Sequence, residues 1–290
     1  MGKNSFTIIG GDLRNVMLGN LLHKDNCKVN LYGFNKAGFE KSLTECTDLD
    51  EAIDSSDVII GPLPCSNDNE TMNAPLHSER IYIKDVFKSV KKNQLFIAGF
   101  ISEKTMNLAQ VCGVHAVDLL KREEMAVLNA IPTAEGAIQI AMEELPITLH
   151  NANVLILGYG RVGRTLAKKL QGLGAHVFVE ARKFHDLAWI DSYGYNAVYI
   201  NDLCEKLGSM DVVYNTIPQM ILDEKLLSRL SNDCLVIDLA SKPGGVDLDS
   251  AKVLGIKAIW ALSLPGKVAP LSAANYLKVT IENIISELGV

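Results

Sequence analysis

One stretch near the middle of the chain constrains the fold more than any other. Residues 154–157 form a continuous apolar run, typical of a strand that is buried on both faces of a parallel sheet. The next residues, Gly158-Tyr159-Gly160-Arg161-Val162-Gly163, fit the G-x-G-x-x-G turn and lead into a helical pattern over 161–173. A second strand pattern over 175–179 follows at the distance that a βαβ unit requires. The stretch therefore predicts a dinucleotide-binding unit.

Each glycine of this turn has a separate task. The first permits the tight turn, the second lets the backbone approach a pyrophosphate, and the third lets the helix pack closely on the strand. The free N–H groups and the positive dipole end of the helix then favour the phosphates. We therefore assign cofactor binding to Gly158, Gly160, Arg161, Val162 and Gly163.

The end of the second strand indicates which dinucleotide is bound. An NAD site places an acidic residue about twenty residues after the turn, and here that position falls on or beside Ala181. Arg182 and Lys183 follow, and an arginine with a second cation suits a 2′-phosphate. Glu180 leaves an alternative open, because its side chain would favour NAD if it turned inward. We predict NADP.

Composition and charge exclude several classes of protein. A net charge of -6 without a basic stripe gives no reason to expect a nucleic-acid partner. The N-terminus lacks a signal-peptide pattern, and no apolar run reaches the length of a membrane span. The six cysteines are scattered without a C-x-x-C pair. We expect a cytoplasmic protein with reduced cysteines, no membrane partner and no metal.

The chain as a whole is typical of an α/β protein with two parallel-sheet domains. Residues 1–128 alternate strand and helix patterns, as a Rossmann-like or flavodoxin-like domain does. Residues 129–270 hold the glycine turn and form the NAD(P)-binding Rossmann domain, and the amphipathic pattern over 271–290 is expected to complete the first domain. Strand ends rich in Gly, Pro, Asn and Ser recur at one sheet edge, so we predict a ligand cleft between the domains.

Candidate substrate residues in the first domain follow its strand patterns. Gly10-Gly11 ends the first strand pattern, and Asp12 and Arg14 come directly after it. These two side chains either face the cleft or belong to ordinary α/β packing. A rigid, proline-containing loop further along the chain carries Ser66 at another strand end.

Two further candidates lie on Lys84 and at a predicted helix start. Lys84 falls on or just beyond a strand pattern over 81–86, either as an anchor for a substrate carboxylate or as a solvated lysine. Thr133 is expected to be the N-cap of the helix that joins the domains, with Glu135 in its first turn. A carboxyl group at a domain junction is also a candidate for acid/base work, so both roles of Glu135 stay open.

Two later strand ends complete the predicted cofactor site. One strand pattern ends in a polar pair and a proline turn, and the next ends in a glycine-rich mouth. Loops at these positions typically cover the nicotinamide ribose. The cofactor-binding residues therefore also include Arg182, Lys183, Asn215, Thr216, Pro218, Ala240 and Ser241.

The ordered set of motifs resembles the dipicolinate synthase A-subunit family of spore-forming bacteria along nearly the whole chain. The second half is also similar to the NAD domains of adenosylhomocysteine hydrolase and of the 2-hydroxyacid dehydrogenases. Any single motif is ordinary, whereas their order is fairly specific. The resemblance is carried by Gly10-Gly11-Asp12 with Arg14, Leu63-Pro64 with Ser66, Ile131-Pro132-Thr133 with Glu135-Gly136, the Gly158 to Gly163 turn, Ala181-Arg182, Asn215-Thr216-Ile217-Pro218, Asp238-Leu239-Ala240-Ser241 with Pro243-Gly244-Gly245, and Leu264-Pro265-Gly266 with Ala269-Pro270.

The resemblance implies a pyridine-dinucleotide oxidoreductase that works with a flavoprotein-like B subunit, and the residues after the second strand make NADP the predicted dinucleotide. It would oxidise dihydrodipicolinate, an intermediate of the lysine pathway, to pyridine-2,6-dicarboxylate in the mother cell of a sporulating bacterium. A small dicarboxylate substrate needs cations or N–H donors, and its proton needs a base. We place Asp12, Arg14, Ser66 and Thr133 at the substrate, with Glu135 as base and Lys84 beside it in the catalytic set. Homo-oligomerisation is left open.

Two other functions also stay open. A 2-hydroxyacid dehydrogenase would use a late histidine as its acid/base, but the last histidine of the chain is His185 and none lies in 262–270. The other alternative is a non-catalytic NADP-binding subunit that scaffolds its partner, since no activated nucleophile or metal cluster stands out.

Overall fold

Strands alternate with helices along the chain in the computed structural model, which describes residues 4–36 and 43–290. The strands are β1 (Ser5–Ile9), β2 (Lys28–Tyr32), β3 (Thr44–Glu45), β4 (Val58–Ile60), β5 (Leu95–Ala98), β6 (His115–Asp118), β7 (Asn153–Leu157), β8 (His176–Ala181), β9 (Asn196–Tyr199), β10 (Val212–Asn215), β11 (Leu235–Asp238) and β12 (Lys257–Trp260). The helices are α1 (Leu13–Lys24), α2 (Leu49–Asp54), α3 (Ile83–Ser89), α4 (Glu103–Cys112), α5 (Glu123–Glu144), α6 (Arg161–Gly172), α7 (Phe184–Ser192), α8 (Leu203–Lys206), α9 (Glu224–Leu227), α10 (Leu248–Val253), α11 (Leu264–Val268) and α12 (Pro270–Leu288). None of these described helices is both long enough and apolar enough to cross a membrane.

The chain divides into two compact units. The first unit comprises residues 1–128 and 269–290, and the second comprises residues 129–268. We propose that these units are the two domains, for which the sequence predicts 1–128 with 271–290 and 129–270.

Each unit contains one parallel sheet. The strand order is β3-β2-β1-β4-β5-β6 in the first unit and β12-β11-β10-β7-β8-β9 in the second. Counted from the first strand of each unit, both follow the doubly wound order 3-2-1-4-5-6 of Rossmann sheets. Every pairing between the named strands of the two sheets is parallel. The predicted fold class, two parallel-sheet α/β domains, is therefore confirmed, while a cleft between them stays a prediction.

The strands are apolar because helices cover both faces of each sheet. All residues of β4 are buried, as are Val154 to Leu157 of β7. Full burial of one such side chain contributes about 1.5–3 kcal/mol before the cost of chain ordering is subtracted. The strand sequences are therefore continuously apolar and do not alternate between apolar and polar residues.

The C-terminal helix packs within the first unit. α12 lies against α1, and Ala274, Leu277, Ile281 and Ile284 recur on its buried face at helical spacing. An ion pair between Lys278 and Asp25 of the α1 C-cap joins the two helices at their surface.

Lys84 does not lie on a strand, so that part of the prediction is wrong. The structure has a helix where the pattern over 81–86 favours a strand, because α3 begins at Ile83 and Lys84 is exposed in its first turn. The buried residues Ile83, Val86 and Phe87 follow the i, i+3, i+4 spacing of a helix. Burial alternates as in a strand only over residues 81–84. The adjacent buried residues Val86 and Phe87 fit a helix instead.

Thr133 is not a helix N-cap, because α5 begins at Glu123 and continues through Pro132. A proline inside a helix costs about 3 kcal/mol in exposed hosts, which is why the sequence favours a helix start beside it. Burial of Ala130, Ala134 and other small residues on one face of α5 offsets that cost. The Thr133 hydroxyl donates to the Asn129 carbonyl at 2.8 Å, so it bonds back along the helix.

Glu135 is consequently in the middle of a helix rather than in a first turn. Its Oε1 accepts a hydrogen bond from Lys169 Nζ of α6 at 2.7 Å, and about half of its side chain is exposed. Lys169 is eight residues after Arg161, which places this ion pair about 12 Å along α6 from the glycine turn.

Candidate functional site

The glycine turn between β7 and α6 gives each of its glycines a distinct environment. Gly158 has a φ of +92°, a conformation that residues with a Cβ rarely adopt. A Cβ on Gly163 would come within 2.1 Å of the Gly158 carbonyl oxygen, so a glycine is needed for α6 to pack this close. Gly160 caps α6, and a Cβ there would meet no protein atom within 4 Å. The open space thus lies where the motif brings the backbone to a pyrophosphate.

A cavity of about 410 Å³ opens at this turn and carries positive charge at one end. Arg182 and Lys183 are exposed and line it together with His185. Its volume lies in the range of about 300–1,000 Å³ that is usual for small-molecule sites. Sequence analysis gave His185 no place at the cofactor, although it lies four residues beyond the end of β8.

Glu180 turns inward toward the glycine turn and is 1% exposed. Its backbone carbonyl and its Oε2 both accept the Gly158 N–H, each at 3.2 Å, while Oε1 has no partner among the described residues. Burial raises the pKa of the Glu180 carboxyl, against the opposing effects of the Gly158 N–H and of the positive charge of Arg182. This carboxyl supports the turn from the protein interior.

Asn215 belongs to a buried hydrogen-bond network at the end of β10. Its Nδ2 donates to Asp238 Oδ1 at 2.7 Å and to the Ile217 carbonyl at 3.0 Å, and its Oδ1 accepts the Ile217 N–H at 3.0 Å. Asp238 also accepts the N–H groups of Ala240 and Gly245. Sequence analysis missed Asp238, although an acidic residue at the end of an apolar strand signals such a network. The network fixes the two loops that follow β10 and β11.

The other predicted cofactor residues lie at the same strand ends or in the first turn of α6. Thr216 donates from Oγ1 to the Leu157 carbonyl at 2.8 Å, which joins the end of β10 to β7. Pro218 and Ser241 are exposed in the loops that follow β10 and β11. Arg161 and Val162 begin α6, where the helix N-terminus provides backbone N–H groups.

The corresponding turn of the first unit is filled by its own side chains. Asp12 caps α1, and its carboxylate accepts hydrogen bonds from Arg14 N, Nε and Nη2 at 2.8–3.1 Å. Arg14 Nη2 also donates to the Leu63 carbonyl at 2.7 Å, and the arginine is 8% exposed. Asp12 and Arg14 are therefore partners of each other, and their contact with a substrate stays a prediction.

Asn15 fills the remaining space of that turn. A Cβ on Gly11 would come within 2.3 Å of Asn15 Oδ1, so the asparagine lies directly against the turn. Its Nδ2 donates to the Gly61 carbonyl at 3.3 Å, and Oδ1 has no partner among the described residues.

Ser66 and Lys84 are not joined to this cluster by any described hydrogen bond. Ser66 Oγ accepts the Asn69 N–H at 2.9 Å and donates to Asp68 Oδ1 at 3.0 Å, so it orders its own loop. The turn that Asp68 caps also holds the pKa of its carboxyl well below the usual range, through the N–H groups of Thr71 and Glu70. The two candidates thus stay predictions without a shared site geometry.

Comparison with known proteins gives both units a family. The first matches the family described as the N-terminal domain of the dipicolinate synthase A subunit over residues 5–120. The second matches the family described as the D-isomer specific 2-hydroxyacid dehydrogenase, NAD binding domain, over residues 129–245. A dehydrogenase-type dinucleotide domain and a nicotinamide dinucleotide cofactor are thereby indicated for the unit with the open turn.

Full-length relatives extend these matches along the chain. The dipicolinate synthase A subunit of Bacillus subtilis (strain 168) is 32% identical over 284 residues, which are 97% of this chain and 95% of that protein. The crystal structure of the dipicolinate synthase A subunit from Bacillus halodurans superposes with a TM-score of 0.89 at 31% identity, covering 98% of this chain and 99% of that one. The crystal structure of dipicolinate synthase, A chain, from Bacillus subtilis superposes with a TM-score of 0.89 at 31% identity. That match covers 100% of this chain and 98% of the other.

Proposed function

The chain belongs to the dipicolinate synthase A-subunit family, and on that premise we propose that it oxidises dihydrodipicolinate to pyridine-2,6-dicarboxylate with NADP. The observation that carries the proposal is the open glycine turn within a chain that is 32% identical to a named A subunit over nearly its full length. The reaction removes a hydride and a proton from the dihydropyridine ring, which becomes aromatic. We place it in the cytoplasm of the mother cell of a sporulating bacterium.

NADP would be held at the glycine turn, where it supplies the hydride acceptor. The Gly160 backbone and the first turn of α6 would bind its pyrophosphate. The chain's main task is then to hold a ring carbon of the substrate against the nicotinamide, because positioning and desolvation provide most of the rate for such a transfer.

The choice of NADP over NAD rests on the residues at the end of β8. Ala181 stands where an NAD site has its acid, and Arg182, Lys183 and His185 line the cavity beside it. Glu180 has the inward orientation that would favour NAD. Glu180 also lines this cavity, but it is 1% exposed, its Oε1 is closed to solvent and its Oε2 already accepts the Gly158 N–H. A 2′-phosphate matches the exposed cations better.

The substrate would present two carboxylates to the first unit. Arg14 is the strongest candidate to bind one of them, because it is held rigidly by Asp12 and Leu63 and no hydrogen bond of its Nη1 occurs among the described residues. A rigid guanidinium gives a bidentate contact at low entropic cost. Asp12, Ser66, Lys84 and Thr133 keep their proposed places in the substrate and catalytic sets, with Asp12 acting through Arg14.

The proton that leaves the ring needs an acceptor, and Glu135 remains our candidate base. Its ion pair with Lys169 is the competing role. Glu135→Gln and Lys169→Gln separate the two. A base predicts that Glu135→Gln lowers kcat by about 100-fold or more while Lys169→Gln changes it little. If both variants lower kcat by the same small factor and lose the same stability, Glu135 acts only as the ion-pair partner of Lys169 and not as the base. Water would then accept the proton.

A partner protein is part of the proposal, because the relative from Bacillus subtilis bears the name of one subunit of a synthase. We propose that this partner is a flavoprotein-like B subunit. A 2-hydroxyacid dehydrogenase activity is the second candidate, supported by the family match of residues 129–245.

Calorimetric titration with NADP(H) and NAD(H), followed by a coupled assay, tests the function. Dihydrodipicolinate synthase would supply the substrate to the purified chain, with and without the B subunit, while NADPH absorbance is followed. We expect tighter binding of NADP(H) than of NAD(H), and turnover when the B subunit is present. Dinucleotide binding without turnover in either assay would favour the scaffold alternative, and oxidation of small 2-hydroxyacids instead would favour the dehydrogenase alternative.

A further inference from the structure

A second and larger cavity lies in the second unit and is lined by residues of α5, of α6, of α7 with the segment after it, and of the turn between β7 and α6. Its volume is about 910 Å³, within the usual range for small-molecule sites. We call it the aromatic groove and define it by Tyr159, Arg164, Lys168, Trp189, Tyr193 and Tyr195, which line it. Apart from Tyr159 and Arg164, which also line the cofactor cavity, none of these residues is assigned to the cofactor or the substrate of the proposed reaction.

Two aromatic side chains of the groove are more than half exposed and stack on each other. The rings of Trp189 and Tyr193 stack with their centroids 5.8 Å apart and an angle of 22° between their planes. The ring centroids of Tyr193 and Tyr195 are 6.3 Å apart. Trp189 and Tyr193 are 54% and 57% exposed. Large rings exposed side by side in a concave surface are typical of binding sites rather than of ordinary protein surface. Their geometry suits a planar ring.

The charges of the groove suit a carboxylate on that ring. Arg164 and Lys168 are one helical turn apart on α6, so they lie on the same face. Arg164 Nη2 lies 3.4 Å from Asp186 Oδ1, and Lys169 forms an ion pair with Glu135. Lys168 is exposed and has no ion pair among the described residues, so its charge is free for a ligand.

The phenol groups add hydrogen-bond donors at the same walls. Burial raises the pKa of Tyr159 and of Tyr195 above the ordinary tyrosine value. A protonated tyrosine hydroxyl is able to donate a hydrogen bond to a carboxylate oxygen.

The groove shares one wall with the cofactor cavity. Tyr159 lies inside the glycine turn, and both it and Arg164 line the two cavities. The guanidinium of Arg164 lies 4.7 Å from the centre of the Tyr159 ring, and its Nε donates to the Tyr159 carbonyl at 3.0 Å. A ligand in the groove and a dinucleotide at the turn would thus contact the same pair of side chains from two sides.

We propose that the aromatic groove binds a planar aromatic carboxylate, and that its occupancy is coupled to dinucleotide binding through Tyr159 and Arg164. The proposal rests on the proposed function in one respect, because that reaction makes a compound of this class, pyridine-2,6-dicarboxylate. Binding of the product at the groove would let it regulate the enzyme from outside the reaction site. The coupling is reciprocal, so NADPH must change the affinity of the groove as much as the ligand changes that of NADPH.

Tryptophan fluorescence tests the ligand class. The chain has two tryptophans, so Trp260→Phe leaves Trp189 as the only reporter. Pyridine-2,6-dicarboxylate and benzene-1,3-dicarboxylate should change Trp189 emission in a saturable way with a Kd below about 1 mM, whereas the flexible pentanedioate should not. No saturable change with either ring compound, or the same change with pentanedioate, would overturn the proposal.

Charge reversal on α6 tests the place of binding. Lys168→Glu should weaken the ring compounds at least about tenfold, while Lys252→Glu, an exposed lysine of α10 with the same charge change, should not. Equal effects of the two variants would overturn the site. So would a dimer of the wild-type chain that Lys168→Glu dissociates, since the groove would then be covered by a second copy.

Titration of NADPH tests the coupling. With saturating pyridine-2,6-dicarboxylate, the Kd of NADPH should change by about fivefold or more in wild type and in Lys252→Glu but not in Lys168→Glu. The same Kd in all cases would overturn the coupling. NADPH binding and turnover without any Trp189 response would overturn this inference and leave the proposed function intact. A Trp189 response without NADPH binding would leave the ligand site of the groove intact but overturn both the coupling and the proposed function.

Discussion

In both units the chain leaves the central strand of the sheet and enters a helix through a turn that begins with glycine. Gly10 leads from β1 to α1 and Gly158 leads from β7 to α6, and both have positive φ values. The sheets share one strand order, and in each the first turn glycine donates its N–H to the carbonyl at the end of the neighbouring strand, on Tyr32 or Glu180. The backbone frames are thus alike.

The side chains of the two turns differ at each position that matters for a phosphate. Asp12 and Gly160 are the N-caps of their helices, and Asn15 and Gly163 come three residues later. In the first unit an aspartate already puts a negative charge at the helix N-terminus, where a phosphate would otherwise bind. In the second unit the same place is empty of side chains.

The contrast shows that a Rossmann sheet provides a phosphate site only when its turn is left open. The first unit uses its helix N-terminus for an internal carboxylate, and the pair of Asp12 and Arg14 gives it a rigid arginine instead. In the second unit no side chain caps α6, because its N-cap is a glycine. One frame therefore supports two kinds of chemistry, and side chains decide which.

The largest effect is expected from Gly163→Ala, which tests whether the second turn needs its close packing. The new Cβ would meet the Gly158 carbonyl oxygen, a backbone atom that cannot rotate away. We expect the free energy of unfolding to fall by about 3 kcal/mol, the upper end of overpacking costs. Urea unfolding followed by circular dichroism measures this. Gly172→Ala, in the same helix with nothing within 4 Å of the new Cβ, is the control and should be neutral or slightly stabilising.

Arg182→Ala tests the cofactor preference of the open turn. Loss of a charged hydrogen-bond donor to the 2′-phosphate should raise the Kd of NADPH by roughly 10- to 100-fold and that of NADH by less than about twofold. Calorimetry measures both values. Arg229→Ala, an exposed arginine elsewhere in the second unit, should change neither. Equal losses for the two dinucleotides would retire the assignment of Arg182 to the 2′-phosphate.

Gly160→Ala tests whether the dinucleotide occupies the open space beside Gly160. Its Cβ meets no protein atom, so the free energy of unfolding should change by no more than about 1 kcal/mol. The same methyl group would stand where the pyrophosphate approaches, and the Kd of NADPH should rise at least about tenfold. A variant that binds NADPH like wild type would show that the dinucleotide does not approach this glycine.

Asp12→Ala tests the closed turn of the first unit. It removes both the N-cap of α1 and the partner of a buried arginine, so we expect a loss of about 1–2 kcal/mol in the free energy of unfolding. Asp12→Asn keeps a capping oxygen and should lose less. If the two variants are equally unstable, the charge of Asp12 rather than its cap holds the turn.

The smallest effect is expected from Glu180→Gln and appears as a pH dependence. Burial raises the pKa of Glu180 in the folded chain, so the folded state holds this proton more tightly than the unfolded state. Stability from this group is therefore complete below about pH 4.5 and is lost as the pH rises through the folded pKa. Glu180→Gln should remove that decline. Urea unfolding at about pH 5 and about pH 8 measures it, and identical slopes for wild type and variant would contradict the buried carboxylate.

The parts of the site that were predictable from sequence are those that local geometry dictates. Gly158 and Gly163 are assigned by the motif to the tight turn and to the close packing, and the structure gives them those environments. The parallel sheets are predictable as well, since continuous apolar runs such as that of β4 mark strands that are buried on both faces.

The aromatic groove has a sequence signal that the motif search missed. Arg164 and Lys168 are four residues apart on one face of α6, and Trp189 is four residues before Tyr193, the C-cap of α7. What the spacing does not reveal is that these two pairs line one cavity. That depends on how α6 and α7 cover the sheet.

The sequence by itself determined the alternation of strands and helices, the two Rossmann sheets and the glycine turn. Each follows from the period of apolar residues or from the lack of a Cβ at a fixed position. The path of α5 through Pro132, the helical position of Lys84 and the burial of Glu180 beneath the turn appear only in the folded chain. These outcomes depend on contacts between residues far apart in the chain. Burial of the small residues on α5 outweighs the local cost of its proline, and no local pattern contains that balance.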